Sequence, residues 1–480
     1  MGTPETQIPI PAAATTHTVS AAELVAHAGS GDAASFVDAV AALIRSGSLA
    51  PGTRLPTVRE LAATGAISAN SVLSAWQSLR DLGLIQTRRR GGTVVLTPHS
   101  PQQPTSFTGW HNVDFAWSAP DTRLHPDLHD ALISSLTTET LHDFAREIIT
   151  PRLRETVAAQ WPFQAQAWTS VGGGTEALLL AVEAAAPPGS LVAVDEPLAP
   201  GVLDTLAELG VHPIGLDVDA YGPTPISLAA AIDRGVTAII LQPGAPFALR
   251  HTVTPTRIAE LADIINRAVA NRADGDRAGV DRQATPLWVI EDDPLGPLDN
   301  RTIPSMGAMV AGRVLKIRSF CRTYGIDVRT SVLGGPRELI ERVLMLRSHG
   351  VAANSRILQN TLAYLIRSQR TAEEIRLARN RYAARRSMLL ARLEHHGIHA
   401  ESGPQSLVVW VKVADETKAA MALLRHGITV GTGSSAFVRD HHPPLLRLSV
   451  MQLPDDTDRI DELVGYLTDA IGPPTREYFG

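Results

Sequence analysis

Cysteine is nearly absent from this chain, and so is lysine. The 480 residues include one cysteine, Cys321, so no disulfide can close within the chain and a thiolate zinc cluster is excluded. Cys321 itself reads as a small residue packed in a tight loop. Of the 43 Lys and Arg residues only Lys316, Lys412 and Lys418 are lysine, so any chemistry that needs a side-chain amine has three candidates. No run of 18 apolar residues occurs, which excludes a spanning helix. The N-terminus lacks the basic-then-apolar pattern of a secretory signal, so a cytoplasmic protein is expected. The net charge of -6 gives no global nucleic-acid footprint, and any basic surface must be local. What remains, 44% hydrophobic and 19% charged over 480 residues, describes a soluble globular chain of two or three domains.

Residues 1–31 are rich in Thr, Pro and Ala and read as a mobile arm. Phe36, Val37, Val40, Leu43 and Ile44 then recur at helical spacing. After the turn Gly47–Gly52, Thr57 and Glu60 form a capping-box pattern for a short helix. Ser68 opens a further helix whose Val72, Trp76 and Leu79 share one face. Two short helices across a tight turn suit a helix-turn-helix. Leu84–Leu96 reads as two strands around the basic turn Arg88-Arg89-Arg90-Gly91, a wing. From 51 to 98 six arginines face two acids, Glu60 and Asp81, a local charge of +4. This stretch, 32–98, is similar to the winged helix-turn-helix of the GntR regulators through Leu55-Pro56, Val58–Ala62, Ser68, Asn70, Gly83-Leu84 and Gly91–Thr93. The resemblance implies duplex DNA as partner. Phosphates would be held by Arg59, Arg88, Arg89, Arg90 and Gly91, and bases read from Ser68, Asn70 and Ser71. Position 69, often Arg in that family, is Ala. The residues alone leave open a plain helical subdomain with a solvated arginine turn.

Residues 99–111 are Pro-, Ser- and Gln-rich and read as a linker. From there to Gly480 apolar runs alternate with helical patterns, as in an α/β domain. Gly172-Gly173-Gly174-Thr175 opens an apolar helix, Glu291-Asp292-Asp293-Pro294 follows a strand, and Asn271–Gln283 reads as a solvated loop insertion. An apolar run at Val314–Ile317 leads into Ser319-Phe-Cys-Arg322, with Arg329 seven positions beyond Arg322. In that order, with the late strand around Arg447, 112–480 resembles the fold-type I pyridoxal-phosphate (PLP) aminotransferases. A large lobe at about 165–345 and a smaller α+β lobe at 112–164 and 370–480 are expected. A winged helix in front of that fold is the arrangement of the MocR branch of GntR regulators. The expected fold class is therefore multidomain.

The resemblance assigns phosphate binding to Gly173, Gly174, Thr175, Ser319 and Arg329, the pyridine-nitrogen carboxylate to Asp292 and a substrate-carboxylate clamp to Arg447. It also marks losses. Arg322 stands at the Schiff-base lysine, Ala199 at the ring-stacking aromatic, and Ala245 and Leu295 at the partners of the ring hydroxyl. A guanidinium stays protonated above pH ~12 and cannot attack an aldehyde. The expectation is a homodimeric DNA-binding regulator without catalytic residues, metal or covalent cofactor. PLP or another small anionic effector would be held noncovalently, with Arg322 among the binding residues. Two alternatives stand beside it: a working PLP aminotransferase with an accessory DNA-binding domain, and a ligand-free dimerisation scaffold. The residues leave open whether the glycines only turn, Asp292 only caps or pairs, and Arg447 only bridges lobes.

Overall fold

The structure, a computed structural model, describes residues 18–28, 33–45, 48–50, 52–81, 84–88, 92–95, 110, 113–138, 141–143, 147–277, 286–348, 353–439 and 442–471. The chain divides into two compact units, Met1–Phe107 and Thr108–Gly480.

In the first unit, the helix Ala33–Arg45 turns Phe36, Val40, Ala41 and Ile44 onto one face. They pack with Val72, Ala75, Trp76 and Leu79 of the helix Ala69–Asp81 in one core. Each of the larger apolar side chains among them contributes ~1.5–3 kcal/mol by leaving water. The short helix Val58–Ala63 starts at the expected capping box: Thr57 Oγ1 accepts from the Glu60 amide at 3.3 Å, and the Glu60 carboxylate accepts from the Thr57 amide at 2.6 Å. Three antiparallel strands, in the order Arg54–Leu55, Gly92–Val95, Ile85–Arg88, complete the winged helix. Part of the stretch read as an arm is helical instead. Ala21–Ala28 is a helix whose Leu24 is buried in the winged-helix core. Ser20 and Glu23 cap it reciprocally, at 2.9 and 3.2 Å. That Ser-x-x-Glu signature lies within the Ala- and Thr-rich stretch that suggested mobility. Residues 1–17, the wing tip 89–91 and most of the linker lie outside the described residues.

The second unit is built on a seven-stranded sheet, in the order 167–171, 331–335, 314–319, 288–293, 238–241, 191–195, 212–216. Ser331–Gly335 runs antiparallel to both neighbours, and every other pairing is parallel. Runs such as Leu191-Val-Ala-Val and Ala238-Ile-Ile-Leu lack polar alternation because helices cover both faces. A four-stranded antiparallel sheet containing Val408–Lys412 and Leu445–Ser449 forms a second, smaller layer. Its Trp410 is fully buried and donates Nε1–H to the Phe247 carbonyl at 2.8 Å, so its polar tip is satisfied. Part of the expected loop insertion is helical instead: Pro255–Arg277 runs on through Asn271–Arg277. Its charged end has no apolar periodicity, but Ala and Arg are strong helix formers and carry the helix past Gly275.

Candidate functional site

In open α/β sheets ligands collect beyond the C-terminal ends of parallel strands. Ser319, Asp292 and Asp195 are at or next to the ends of their strands, and Gln242 follows the end of another. A cavity of about 360 Å³ opens there, entirely within the second unit. Gly173, Gly174, Thr175, Asp292, Ser319, Arg322 and Arg329 all line it. Seven of the eight ligand positions read from sequence therefore line one cavity. Arg447 does not. It is 2% exposed, and its Nη2 donates to the Ala116 carbonyl at 2.9 Å, just before the wall segment Trp117–Pro120.

The glycine-turn end of the cavity is well formed. Gly173 sits at φ 144°, which favours glycine, and opens the helix Gly174–Ala185 with its first amides unpaired by the helix itself. A Cβ on Gly174 would stand 3.1 Å from Ser319 Oγ, so the buried Ser319 hydroxyl lies against the helix start. Arg329 ends a short 3-10 turn at φ 40°, a left-handed position costing an arginine of order 1–2 kcal/mol. Its side chain is exposed at the cavity wall. Glu176 caps the Gly172 amide at 2.7 Å and faces Arg347 at 3.4 Å.

The other end differs. Arg322 donates to the Pro294 carbonyl at 3.2 Å, and among the described residues no carboxylate lies within 4 Å of it. Strand alternation explains this. Glu291 faces Lys316 at 3.7 Å and bonds the Met306 amide, while Asp293 bonds the Gly296 amide and faces Arg318. Asp292, on the cavity face, accepts from Gln242 Nε2 at 2.8 Å. Burial raises its carboxyl to about 6; the Gln242 bond and the Arg322 charge oppose the rise, and Asp293 adds to it. Burial also brings Arg447 down to about 10, reinforced by the nearby Arg322 charge and opposed by Asp114. Burial likewise pushes the Cys321 thiol up, although it lines the same cavity. Sequence reasoning missed the wall segment Trp117–Pro120, including the left-handed, buried Ser118, and missed Gln242 as the partner of Asp292.

PLP as a covalent cofactor needs an amine on this wall, and no lysine is there. Lys316 is buried beside Glu291 and does not line the cavity; Lys412 and Lys418 are exposed on other elements. Gln242 already occupies one oxygen of Asp292, and Ala199 presents only a methyl to the cavity. The donor set suits an anionic group and does not fit a Schiff-base cofactor.

In the first unit, Arg59, Ser68 and Asn70 are exposed, and Ser71 is half-buried. Ser68 Oγ accepts from the Ser71 amide at 3.1 Å and pairs with its hydroxyl at 2.9 Å, so both serines are partly spent on capping. Asn70 is exposed on the first turn of the helix that would read bases. The side chains of Arg88, Arg89 and Arg90, and Gly91, lie outside the described residues.

The family described as bacterial regulatory proteins, gntR family, matches residues 33–95. The chain has the MocR-type architecture. It is 25% identical over 409 residues to the vitamin B6 salvage pathway transcriptional repressor PtsJ of Salmonella typhimurium, covering 83% of this chain and 89% of that protein. It is 23% identical over 439 residues to the uncharacterized HTH-type transcriptional regulator YdcR of Escherichia coli, covering 81% and 88%. Among solved structures, the multiple substrate aminotransferase of Thermococcus profundus superposes with a TM-score of 0.62 at 17% identity, over 75% of this chain and 91% of that one. Aspartate aminotransferase of Thermus thermophilus with maleate gives 0.60 at 17%, over 84% and 96%. The chain thus joins a GntR-type DNA-binding domain to a fold of the aminotransferase type.

Proposed function

We propose that this chain is a cytoplasmic, homodimeric transcription regulator whose aminotransferase-like unit no longer performs aminotransferase chemistry and serves dimerisation and noncovalent sensing of a small anion. The observation that carries the reading is Arg322 on the cavity wall, where the sequence resemblance expects a lysine, in a chain headed by a segment that matches the gntR family. Gly173, Gly174, Thr175, Ser319 and Arg329 would hold the anion's phosphate or carboxylate, and Asp292 and Arg322 would face its other end. A single winged helix offers little specific surface, and pairing two half-sites through a dimer is the usual remedy. The Salmonella relative is named for a vitamin B6 pathway, which makes PLP itself a probe worth including. Without a lysine, and with Ala199 in place of a stacking ring, PLP would bind only as another anion. Purified protein titrated with duplex DNA at several salt concentrations, and scanned for visible absorbance after PLP addition, tests both halves. Salt-dependent DNA binding with no borohydride-stable PLP adduct is expected; a stable adduct with turnover of amino acids would replace this reading with the enzyme one.

A further inference from the structure

The charges around the cavity are not balanced. Two guanidiniums on its wall, Arg322 and Arg329, have no carboxylate within ion-pair distance among the described residues. Arg447, next to the wall segment, is 2% exposed and leaves Nε and Nη1 without partners. The acids nearby are largely committed: Asp292 to Gln242, Glu176 to Arg347 and the Gly172 amide, Asp114 to the Ala116 amide. Cations that share one cleft without carboxylate partners repel one another, and an anion bound between them removes that cost. Arg322 bonds the Pro294 carbonyl beside Asp292, and Arg329 lines the same cavity as the glycine turn and Ser319, whose hydroxyl lies against the helix start. Leu178, Ala199 and Val202 add an aliphatic surface to the lining. About 360 Å³ is near the lower end for ligand sites and suits a short molecule.

We infer that the cavity selects a short aliphatic molecule with an anionic group at each end, one seated on the Gly173–Thr175 turn with Arg329 and the other paired with Arg322. This rests on the noncovalent sensing reading above and gives it a chemical class: a phosphate or carboxylate at the turn and a planar carboxylate at Arg322. Arginine suits the second role because its fork makes two parallel bonds to a carboxylate. The substitution at the lysine position thereby exchanges a covalent anchor for an ionic one. A free aldehyde gains nothing from Arg322, and a single anion leaves one of the two cations unpaired.

Calorimetric titration of the full-length protein with 3-phosphoglycerate, glutarate, inorganic phosphate and PLP tests the inference, using wild type, Arg322→Gln, Arg322→Lys and Arg329→Ala. Wild type should bind 3-phosphoglycerate or glutarate roughly tenfold or more tightly than inorganic phosphate, the worth of one charge-assisted pair. Arg322→Gln should abolish that advantage while leaving inorganic phosphate binding unchanged, Arg322→Lys should restore part of it, and Arg329→Ala should weaken every anion. The inference is overturned if Arg322→Gln and wild type rank the probes alike, if PLP binds most tightly, or if no probe binds. Mixed-sequence duplex DNA titrated at low salt with the same preparations separates the two readings. DNA binding without any anion binding removes only this inference, and anion binding without DNA binding removes the regulator reading while leaving the ligand class in place. Melting curves of the two Arg322 variants show whether a lost signal is lost fold, and the lysine variant remains as the test if the glutamine variant does not fold.

Discussion

Asp195 offers a quantitative check on the strand ends behind the cavity. It ends the strand Leu191–Asp195, is 5% exposed, accepts the Gln242 amide at Oδ2 (2.9 Å) and has no partner at Oδ1 among the described residues. Burial pushes its carboxyl from 3.8 up to about 7; the Gln242 amide opposes the rise, and the charges of Asp292 and Glu196 add to it. The folded protein thus keeps a proton that the unfolded chain releases near 3.8. The resulting stability is fully present below that value and is lost as pH rises through about 7. The interval corresponds to at most ~4 kcal/mol. Asp195→Asn keeps an acceptor for Gln242 and removes the ionisation. The variant's melting temperature should therefore fall less than the wild type's between about pH 5 and 8, with a gap of roughly 5 °C at the alkaline end. Scanning calorimetry in buffers of matched ionic strength measures this directly. Parallel curves for the two proteins would refute the argument, because they would mean Asp195 is ionised in the fold throughout. Asp292→Asn should flatten the wild-type curve too, over a narrower range, since its carboxyl is raised only to about 6.

Asn70→Ala should change the ranking of operator sequences in a binding selection, because Asn70 is exposed at the start of the reading helix. Replacing Arg88, Arg89 and Arg90 with Ala should weaken binding to all sequences and lower the slope of affinity against salt, as fewer counterions are released. An unchanged slope in an anisotropy titration would take the wing out of the interface. Arg385→Met should cost about 3 kcal/mol in denaturant unfolding: Arg385 is 1% exposed and bonds Asp121, Asp455 and the Met451 carbonyl, although Arg123 and Arg381 still pair with the two acids. Their arginine bonds outweigh burial and hold both acids below 3.8, so this network's stability is present above that pH and is lost as pH falls through the lowered values. The variant should lose much of the wild type's acid sensitivity below about pH 4.

The sequence disclosed this fold where spacing and chemistry coincide. Thr57 and Glu60 marked a helix start, and the paired apolar strands implied a doubly covered sheet. The same logic was available at Ser20 and Glu23, where composition concealed it. The glycine turn that opens the helix was legible because Gly173 answers a backbone requirement that no other residue meets cheaply. Arg447 was misplaced because its position on a strand fixes the Cα but not whether the side chain reaches the cavity or ends on the Ala116 carbonyl. The wall segment Trp117–Pro120 and the Gln242–Asp292 bond are tertiary juxtapositions without a local pattern. The same holds for Arg322: its position could be read, but its partner could not.

How this scaffold accommodates an arginine at position 322 follows from where the residues sit. Arg322 lies in a short helix beyond the strand end, and its guanidinium meets the Pro294 carbonyl, the field of Asp292 and the face of the Phe247 ring, 5.9 Å from its centroid. Apart from that ring, the apolar core on the two faces of the sheet is built from other residues. A bound anion could then regulate DNA only by having different affinities in two arrangements of the protein, and the size of that difference caps the effect. A tenfold preference yields about 1.4 kcal/mol, enough to move an operator from half occupied to nearly full at fixed protein concentration. Trp117–Pro120 is placed to make such a difference: it walls the cavity, it follows the carbonyl that holds Arg447, and in sequence it comes soon after the linker from the DNA-binding domain. If an anion draws Arg447 off the Ala116 carbonyl, that segment loses its tether. Ala116 and Trp117 should then exchange amide hydrogen faster in the presence of a binding anion, and unchanged protection there would mean the signal takes another route.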